Sequence, residues 1–386
     1  MKTYDIVIIG CGAAGLAAAG AALVRGRSVA IIDMGERPAR KVAASGGGRC
    51  NFTNAAAARD RYFGSNPDFV RGALARVTPA DILDWAATHK IKPVEKATGQ
   101  YFCATGAADV IAALMHDAMA ADIFLNTHVT DAIFNDDCFT ITGDGHQYRA
   151  KSLIVATGGV SFPALGVSDA GYIIAKKFRH KIVPVRPALC AMAVPTFSPE
   201  LAGISMRAKI TVGRSSVCDD MLFTHFGIGG PAAYRASLFD MSGGEMHINL
   251  VPDVDALQWL RDAKHESGRR TISAVLATRM PTRLAKWIAG DDMRHIADHK
   301  DSEITAIADK ISNIVIPSNQ VKYHGMQSAE VVRGGVSTDA VSSKTMESKL
   351  RPGLFFAGEI LDIAGDLGGF NLHWAWASGR IAGQNA

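Results

Sequence analysis

The chain begins with an unbroken apolar run, Ile6–Ile9, in which every residue is β-branched. A short run of this kind, with no polar alternation, predicts a strand buried on both faces, as in a parallel sheet. Alanine-rich sequence then continues to Val24 and predicts a helix. Ser28–Ile32 predicts the next strand, ending at Asp33. Ser152–Val155 and Leu354–Ala357 predict two more, each followed by a glycine turn. Between Pro187 and about Ser343 the pattern changes. "CAMAVPTF", "MRAKITVG", "MLFTHFG" and "MHINLVPD" read as strands. Asp253–Asn313 shifts to helical spacing in "VDALQWLRDA", "TISAVLATRM", "PTRLAKWIAG" and "EITAIADKIS", and "IVIPSN" returns to strand.

The first turn carries chemistry. Gly10, Gly12 and Gly15 stand in G-x-G-x-x-G spacing between a strand and a helix, and Asp33 closes the following strand 18 residues after Gly15. In such a unit the first glycine permits the tight turn and the second lets backbone approach a pyrophosphate. The third allows the helix to pack closely, and the helix N-terminus, here Ala13 and Ala14, faces the anion. Asp33 can accept a hydrogen bond from a ribose 2′-OH and would repel a 2′-phosphate. The glycines alone are weak evidence; strand, glycines, helix, strand and acid in register are strong evidence.

The fold class expected is therefore α/β. A discontinuous Rossmann-like nucleotide-binding domain spans 1–188 and 344–386. An inserted strand-rich, barrel-like domain spans 189–253 and 314–343, with a helical subdomain over 254–313.

Composition narrows the function classes. The 386 residues are 48% hydrophobic and 20% charged, which suits a large core and argues against disorder. The net charge is +4, and Lys and Arg are scattered without a block of five. No nucleic-acid partner is therefore expected. Six cysteines without C-x-x-C or zinc spacing read as reduced thiols, hence a cytoplasmic setting and no metal. No uncharged apolar run is long enough to span a membrane. Oligomeric state is not legible.

The choice between FAD and NAD falls on the C-terminal stretch "GLFFAGEILDIAGDLGGFNLHWAWASGRIAG". After its strand come Gly358, Glu359 and Asp362. Gly368-Gly369 then leads into a helix. Such a start can hold a ribityl chain and point amides at a flavin edge, stabilising negative charge on the reduced ring. A plain NAD enzyme needs no such returning segment. The "ATGG" turn, Ala156–Gly159, is a further place where chain returns to the cofactor.

The motifs "GCGAAG", "SGGGRCNFTN", "FTHFGIGGP", "KTMESK" and "GLFFAGEILDIAGDLGGFNLHWAWASG" follow one another along nearly the whole chain. In this it resembles the BaiN/YhiN-like family of FAD-dependent oxidoreductases, also called aminoacetone oxidase-like. Departures are Gly229 for an expected serine, Ala364 for an acid and His373 for a glutamine. The resemblance implies that the segment after the second strand passes the pyrophosphate and then the flavin. It places Arg40, Lys41 and Ser45 to Asn51 beside the cofactor. Gly46, Gly47 and Gly48 would free backbone amides. Arg49 would compensate diphosphate charge or polarise a flavin carbonyl. Val129, Phe370, Asn371 and Leu372 complete the expected cofactor set. Cys50 has no cysteine within ten residues, so a packing or flavin-adjacent role is preferred to a redox relay, which needs a resolving thiol.

Candidate proton donors are His225, on a glycine-rich loop of the insert, and His373, with Arg49 as a third catalytic candidate. Tyr101 reads as a buried aromatic or a pocket wall, and Trp374 and Trp376 as core. The inserted domain is expected to cover the flavin. The activity expected is hydride exchange between flavin N5 and a small organic substrate, with reduction of a conjugated C=C bond first. NAD(P)H is expected as a transient donor, since no second nucleotide fingerprint follows a strand. The alternatives are a flavin amine oxidase, an RNA-modifying flavoprotein and a non-catalytic flavin-binding protein.

Overall fold

The computed structural model describes residues 2–96, 99–242 and 244–386. It divides into two compact units: residues up to Pro187 together with Glu330–Ala386, and Ala188–Ala329.

The first unit is built on β1 (Thr3–Ile9), α1 (Ala13–Leu23) and β2 (Val29–Ile32). Strands β1 and β2 lie parallel, with Ile6 opposite Val29 and Ile9 opposite Ile32. Asp122–Phe124 adds parallel beyond β2. On the other side, His146–Val155 runs parallel to β1, and Leu354–Phe356 runs parallel beyond it. An antiparallel pair, Val129–Asn135 and Cys138–Gly143, extends from the early half of His146–Val155. Ile6–Ile9 are buried, as an apolar run with helices on both faces requires. Unit 1 resumes at Glu330, earlier than the expected 344. The reason is pairing: Val331–Val336 lies against Ile182–Ala188 in a two-stranded sheet.

The C-terminal helix, Phe370–Asn385, packs along α1. Gly379 and Gly383, one turn apart, face it. A Cβ at Gly379 would overlap the carbonyl oxygen of Ala14, and one at Gly383 that of Ala18. Small residues on both helices thus let backbones meet directly. Trp374 and Trp376 are buried, and each indole N–H finds a carbonyl: Gly358 O at 3.1 Å and Phe52 O at 2.7 Å.

The second unit holds a seven-stranded antiparallel sheet. Its order is Ile314–Pro317, Glu245–Asn249, Ser205–Val212, Ser215–Thr224, Gly227–Gly229, Met192–Ala193 and Lys322–Tyr323. The helices Ala256–Glu266, Ile272–Leu276, Thr282–Ala289 and Asp301–Ser312 belong to the same unit. Among the described residues no helix is long and apolar enough to cross a membrane.

Gly383→Val forces side-chain volume into a backbone contact and is expected to cost about 1–3 kcal/mol. Urea unfolding of the two proteins measures it; equal midpoints would show that this contact does not constrain the fold.

Candidate functional site

The glycine turn is tight because three backbone segments converge on it. Gly10 has φ +111°, and a Cβ there would overlap the carbonyl of Ala156. Gly10 N–H donates to Ile32 O at 2.8 Å, and Ala156 N–H to Ile9 O at 2.8 Å. The "ATGG" turn is thereby fastened to the first turn. A Cβ at Gly15 would overlap Gly10 O, so helix and strand pack at backbone distance. Gly12 differs: a Cβ there meets nothing within 4 Å. Open space lies on that side, at the start of α1, where the amides of Ala13 and Ala14 begin the helix.

Asp33 follows β2 directly. One carboxylate oxygen accepts the Cys11 N–H at 2.7 Å. The other accepts the Gly35 N–H at 2.7 Å and an Arg40 N–H at 3.1 Å. Arg40 also donates to the carbonyl of Leu165. An ionised carboxylate has about four lone-pair sites, so one is left for a ligand. Asp33, Gly10, Arg40, Val129, Thr157 and Gly166 line a cleft with about 420 Å³ of empty space, part of it open to solvent. The Thr157 hydroxyl is buried there without a hydrogen-bond partner.

Ser45–Gly48 forms a tight turn, and Gly46, Gly47 and Gly48 have φ of 59°, 64° and 82°. Only glycine takes three such conformations in succession without strain. Side chains at Gly47 or Gly48 would meet nothing within 4 Å, so open space lies on that side of the turn. Arg49 is exposed, its guanidinium 5.7 Å from the centroid of the Phe102 ring. Cys50 then turns inward and is fully buried. Burial pushes its thiol up to about 12, outweighing the Ser45 hydrogen bond that favours the thiolate. Cys103, on the strand beside it, adds to the rise; its N–H donates to Arg49 O at 2.9 Å and Cys50 O at 3.3 Å. Both thiols are free. The sequence gives no hint of this neighbour, 53 positions away, because strand pairing alone brings it there.

Asn51 opens the strand Asn51–Asn54. Its amide donates to Gln100 Oε1 at 2.8 Å, while its own Oδ1 is buried and unpartnered. Gly368 and Gly369 close on the same strand. Asn54 Nδ2 donates to Gly368 O at 2.8 Å, and a Cβ at Gly369 would lie 2.8 Å from Asn51 Oδ1. Asn371 accepts the Gly365 N–H at 2.7 Å and donates back to Gly365 O at 2.9 Å, closing the loop before the helix. Phe370 is buried and Leu372 half-buried beside them. Gln100 is a member of this cluster that sequence reasoning missed.

The acids of the C-terminal arm have protein partners. Glu359 pairs with Lys41 at 2.9 Å and accepts the Val332 N–H at 3.0 Å and the Ser161 hydroxyl at 3.3 Å. Lys41 also reaches Ser161, at 2.8 Å. Ser161 went unnoticed in the sequence although it lies just past the "ATGG" turn. Asp362 clamps two loops, accepting N–H groups from Ser65 at 2.8 Å and Gly334 at 3.2 Å. Gly158 and Gly159 sit against Glu359: a Cβ at Gly159 would lie 2.9 Å from its Oε1. A Cβ at Gly358 would lie 2.8 Å from that of Ala14.

The histidine candidates separate. His373 is fully buried. Its Nε2 donates to Val77 O at 3.0 Å, because a carbonyl can only accept, so Nδ1 accepts from the Thr53 hydroxyl at 2.8 Å. Burial lowers its pKa to about 4, against the raising effect of the Val77 carbonyl. The catalytic role expected for His373 is corrected: both nitrogens are committed and the ring is a neutral structural tie. His225 is exposed, on the turn between Ser215–Thr224 and Gly227–Gly229 of the second unit. Tyr101 is half-buried and donates to Glu95 at 3.1 Å. Among the described residues, no group of three or more His, Cys, Asp or Glu could hold a metal.

These residues fit FAD. Asp33 and the first glycine turn would hold the adenosine ribose and pyrophosphate. The orphaned Thr157 hydroxyl and Asn51 Oδ1 supply further polar contacts that nothing in the protein uses.

Two outcomes are expected. Cys50→Ser leaves both FAD content and flavin reduction within about a factor of two, because a thiol titrating near 12 contributes no thiolate at neutral pH; anaerobic bleaching of the flavin band measures this. The unfolded chain binds a proton on His373 near pH 6.5 and the folded chain only near 4. Stability therefore falls as pH drops from about 6.5 to 4, by roughly 3 kcal/mol at most for this group. His373→Gln flattens that part of the urea-midpoint profile; a profile as steep as wild type would exclude His373 as its source.

Comparison with known proteins identifies the lineage. The family model for the HI0933-like protein Rossmann domain matches residues 4–385. A ribosomal RNA dihydrouridine synthase of Escherichia coli is 34% identical over 100% of this chain and 98% of its own. One of Haemophilus influenzae is 37% identical over 98% and 97%. A 3-dehydro-bile acid delta(4,6)-reductase of Clostridium scindens is 28% identical over 99% and 98%. The chain belongs to the HI0933-like family, the Rossmann-type FAD-dependent oxidoreductases that its motifs resemble.

Proposed function

We propose that this FAD-dependent oxidoreductase saturates a carbon–carbon double bond conjugated with a carbonyl, and that the substrate is the C5=C6 bond of a uracil in ribosomal RNA. The observation that carries the reading is full-length similarity, at 34% and 37% identity, to two ribosomal RNA dihydrouridine synthases. Dihydrouridine differs from uridine by two hydrogens across C5–C6, a bond conjugated with C4=O. The name of the third relative describes the same chemistry on a different skeleton, which supports the reaction class independently of the substrate. An RNA substrate stands against two expectations, the absence of a nucleic-acid partner read from the scattered charge and the small organic substrate. It also turns the alternative of an RNA-modifying flavoprotein into the leading reading.

When bound, FAD supplies hydride transfer to the electron-poor carbon of the conjugated system, with NAD(P)H as the proposed donor. The protein's part is to hold the cofactor and to place a proton at the neighbouring carbon. Asp33, the amides of the first glycine turn, Thr157 and Asn51 do the holding. Lys41 and Glu359 neutralise each other, so they tie the C-terminal arm to the cofactor segment without adding charge. Cys50 and His373 are unsuited to give the proton, the first bound too tightly and the second neutral and enclosed.

Anaerobic incubation with NADPH or NADH and unmodified ribosomal RNA is expected to add two hydrogens to a uridine, read by nucleoside mass spectrometry. Flavin that bleaches with the donor, but leaves every uridine unchanged while reducing a steroid enone, would sink the RNA substrate and keep the reaction class.

A further inference from the structure

Resting on the RNA reading above, we propose that the stacked pair Phe226 and His324, in the second unit, is a platform that receives an unpaired nucleobase of the substrate RNA.

Phe226 lies beside His225 on the turn between Ser215–Thr224 and Gly227–Gly229. Its ring lies parallel to that of His324, with centroids 4.1 Å apart and planes 4° apart. Phe226 keeps 38% of its surface exposed, and His324 is exposed as well. Of the sixteen phenylalanines only Phe162 and Phe226 are exposed, so an aromatic face at the surface is a departure from how this chain treats the residue type.

The platform is held rigidly. The short strand Met192–Ala193 lies between Gly227–Gly229 and Lys322–Tyr323 and carries one ring on each side. Val194 N–H donates to Phe226 O at 3.0 Å, and His324 N–H donates to Ala191 O at 2.9 Å. His324 Nδ1 hydrogen-bonds Ser328 Oγ at 3.1 Å, which fixes the imidazole plane and leaves Nε2 for a ligand. A rigid aromatic pair loses little entropy when a third ring joins the stack.

The surroundings select the partner. Lys322 is exposed and two residues before His324, so on an extended segment both point to one side of the sheet. A flat π-face with a separate cation matches the alternation of base and phosphate in a single strand. A protein or lipid partner would instead call for contiguous apolar surface, whereas Phe226 follows the polar Thr224 and His225 in the chain and its stacking partner is the imidazole of His324. Stacking accepts any base, so the platform would hold the RNA strand rather than choose the uracil.

The test uses the FAD-loaded full chain and a labelled oligouridylate, followed by anisotropy at fixed salt. Phe226→Leu and His324→Ala are expected to weaken binding about tenfold or more, as loss of one base stack does. Phe226→Trp is expected to bind at least as tightly as wild type. Lys322→Gln is expected to reduce the slope of log affinity against log salt by about one. FAD content, read by absorbance, should be the same throughout. If wild type makes dihydrouridine but Phe226→Leu binds as well as wild type, the platform is wrong and the RNA reading stands. If Leu and Trp variants lose binding equally with FAD intact, stacking is wrong. If wild type neither binds RNA nor makes dihydrouridine, the RNA reading itself falls and takes the platform with it.

Discussion

The direct backbone contact between α1 and the C-terminal helix is the constraint on which the first unit depends. Gly379 and Gly383 have no side chains because the carbonyls of Ala14 and Ala18 occupy that space. Helices this close bury few large side chains against each other, and what they gain is position. The contact brings Gly358 against Ala14 and sets the Gly368–Gly369 turn on the strand Asn51–Asn54, more than three hundred positions away. The cofactor segments from the two ends of the chain are registered by it.

Much of this was legible because it is local. The β-branched run of β1, the glycine spacing, the alanines of α1 and the acid after β2 are each consequences of one strand–turn–helix–strand unit. That unit needs the same residues wherever it occurs. The alternation in the insert was legible for the same reason. Other features came only with the fold. Cys103 next to Cys50, Gln100 beside Asn51, and Ser161 between Lys41 and Glu359 result from pairing of segments whose separation leaves no periodic trace.

The candidate site shows why residue type alone misleads. Asp362, Glu359 and His373 all carry groups that could serve a cofactor, and all lie near the expected segments. Each also has protein partners: Asp362 two loop amides, Glu359 the ammonium of Lys41, and His373, both of whose nitrogens are committed, Thr53 and Val77. Thr157 and Asn51 look less eventful in the sequence, yet each keeps an unused buried polar atom. A buried polar atom without a partner costs stability, so its persistence points to a ligand better than the presence of a charge does.

The placement of the second unit within the chain bears on how the protein is made. Strand β1 meets its neighbours β2 and His146–Val155 early in synthesis, but the cover for the outer side of α1 is encoded only after the whole insertion. Until the ribosome has passed that stretch, an alanine-lined helix lacks its mate. The nascent nucleotide domain therefore has a window in which an apolar surface is available to chaperones or to neighbouring chains. Folding of the insert during that interval would shorten the reach between the waiting helix and its late partner.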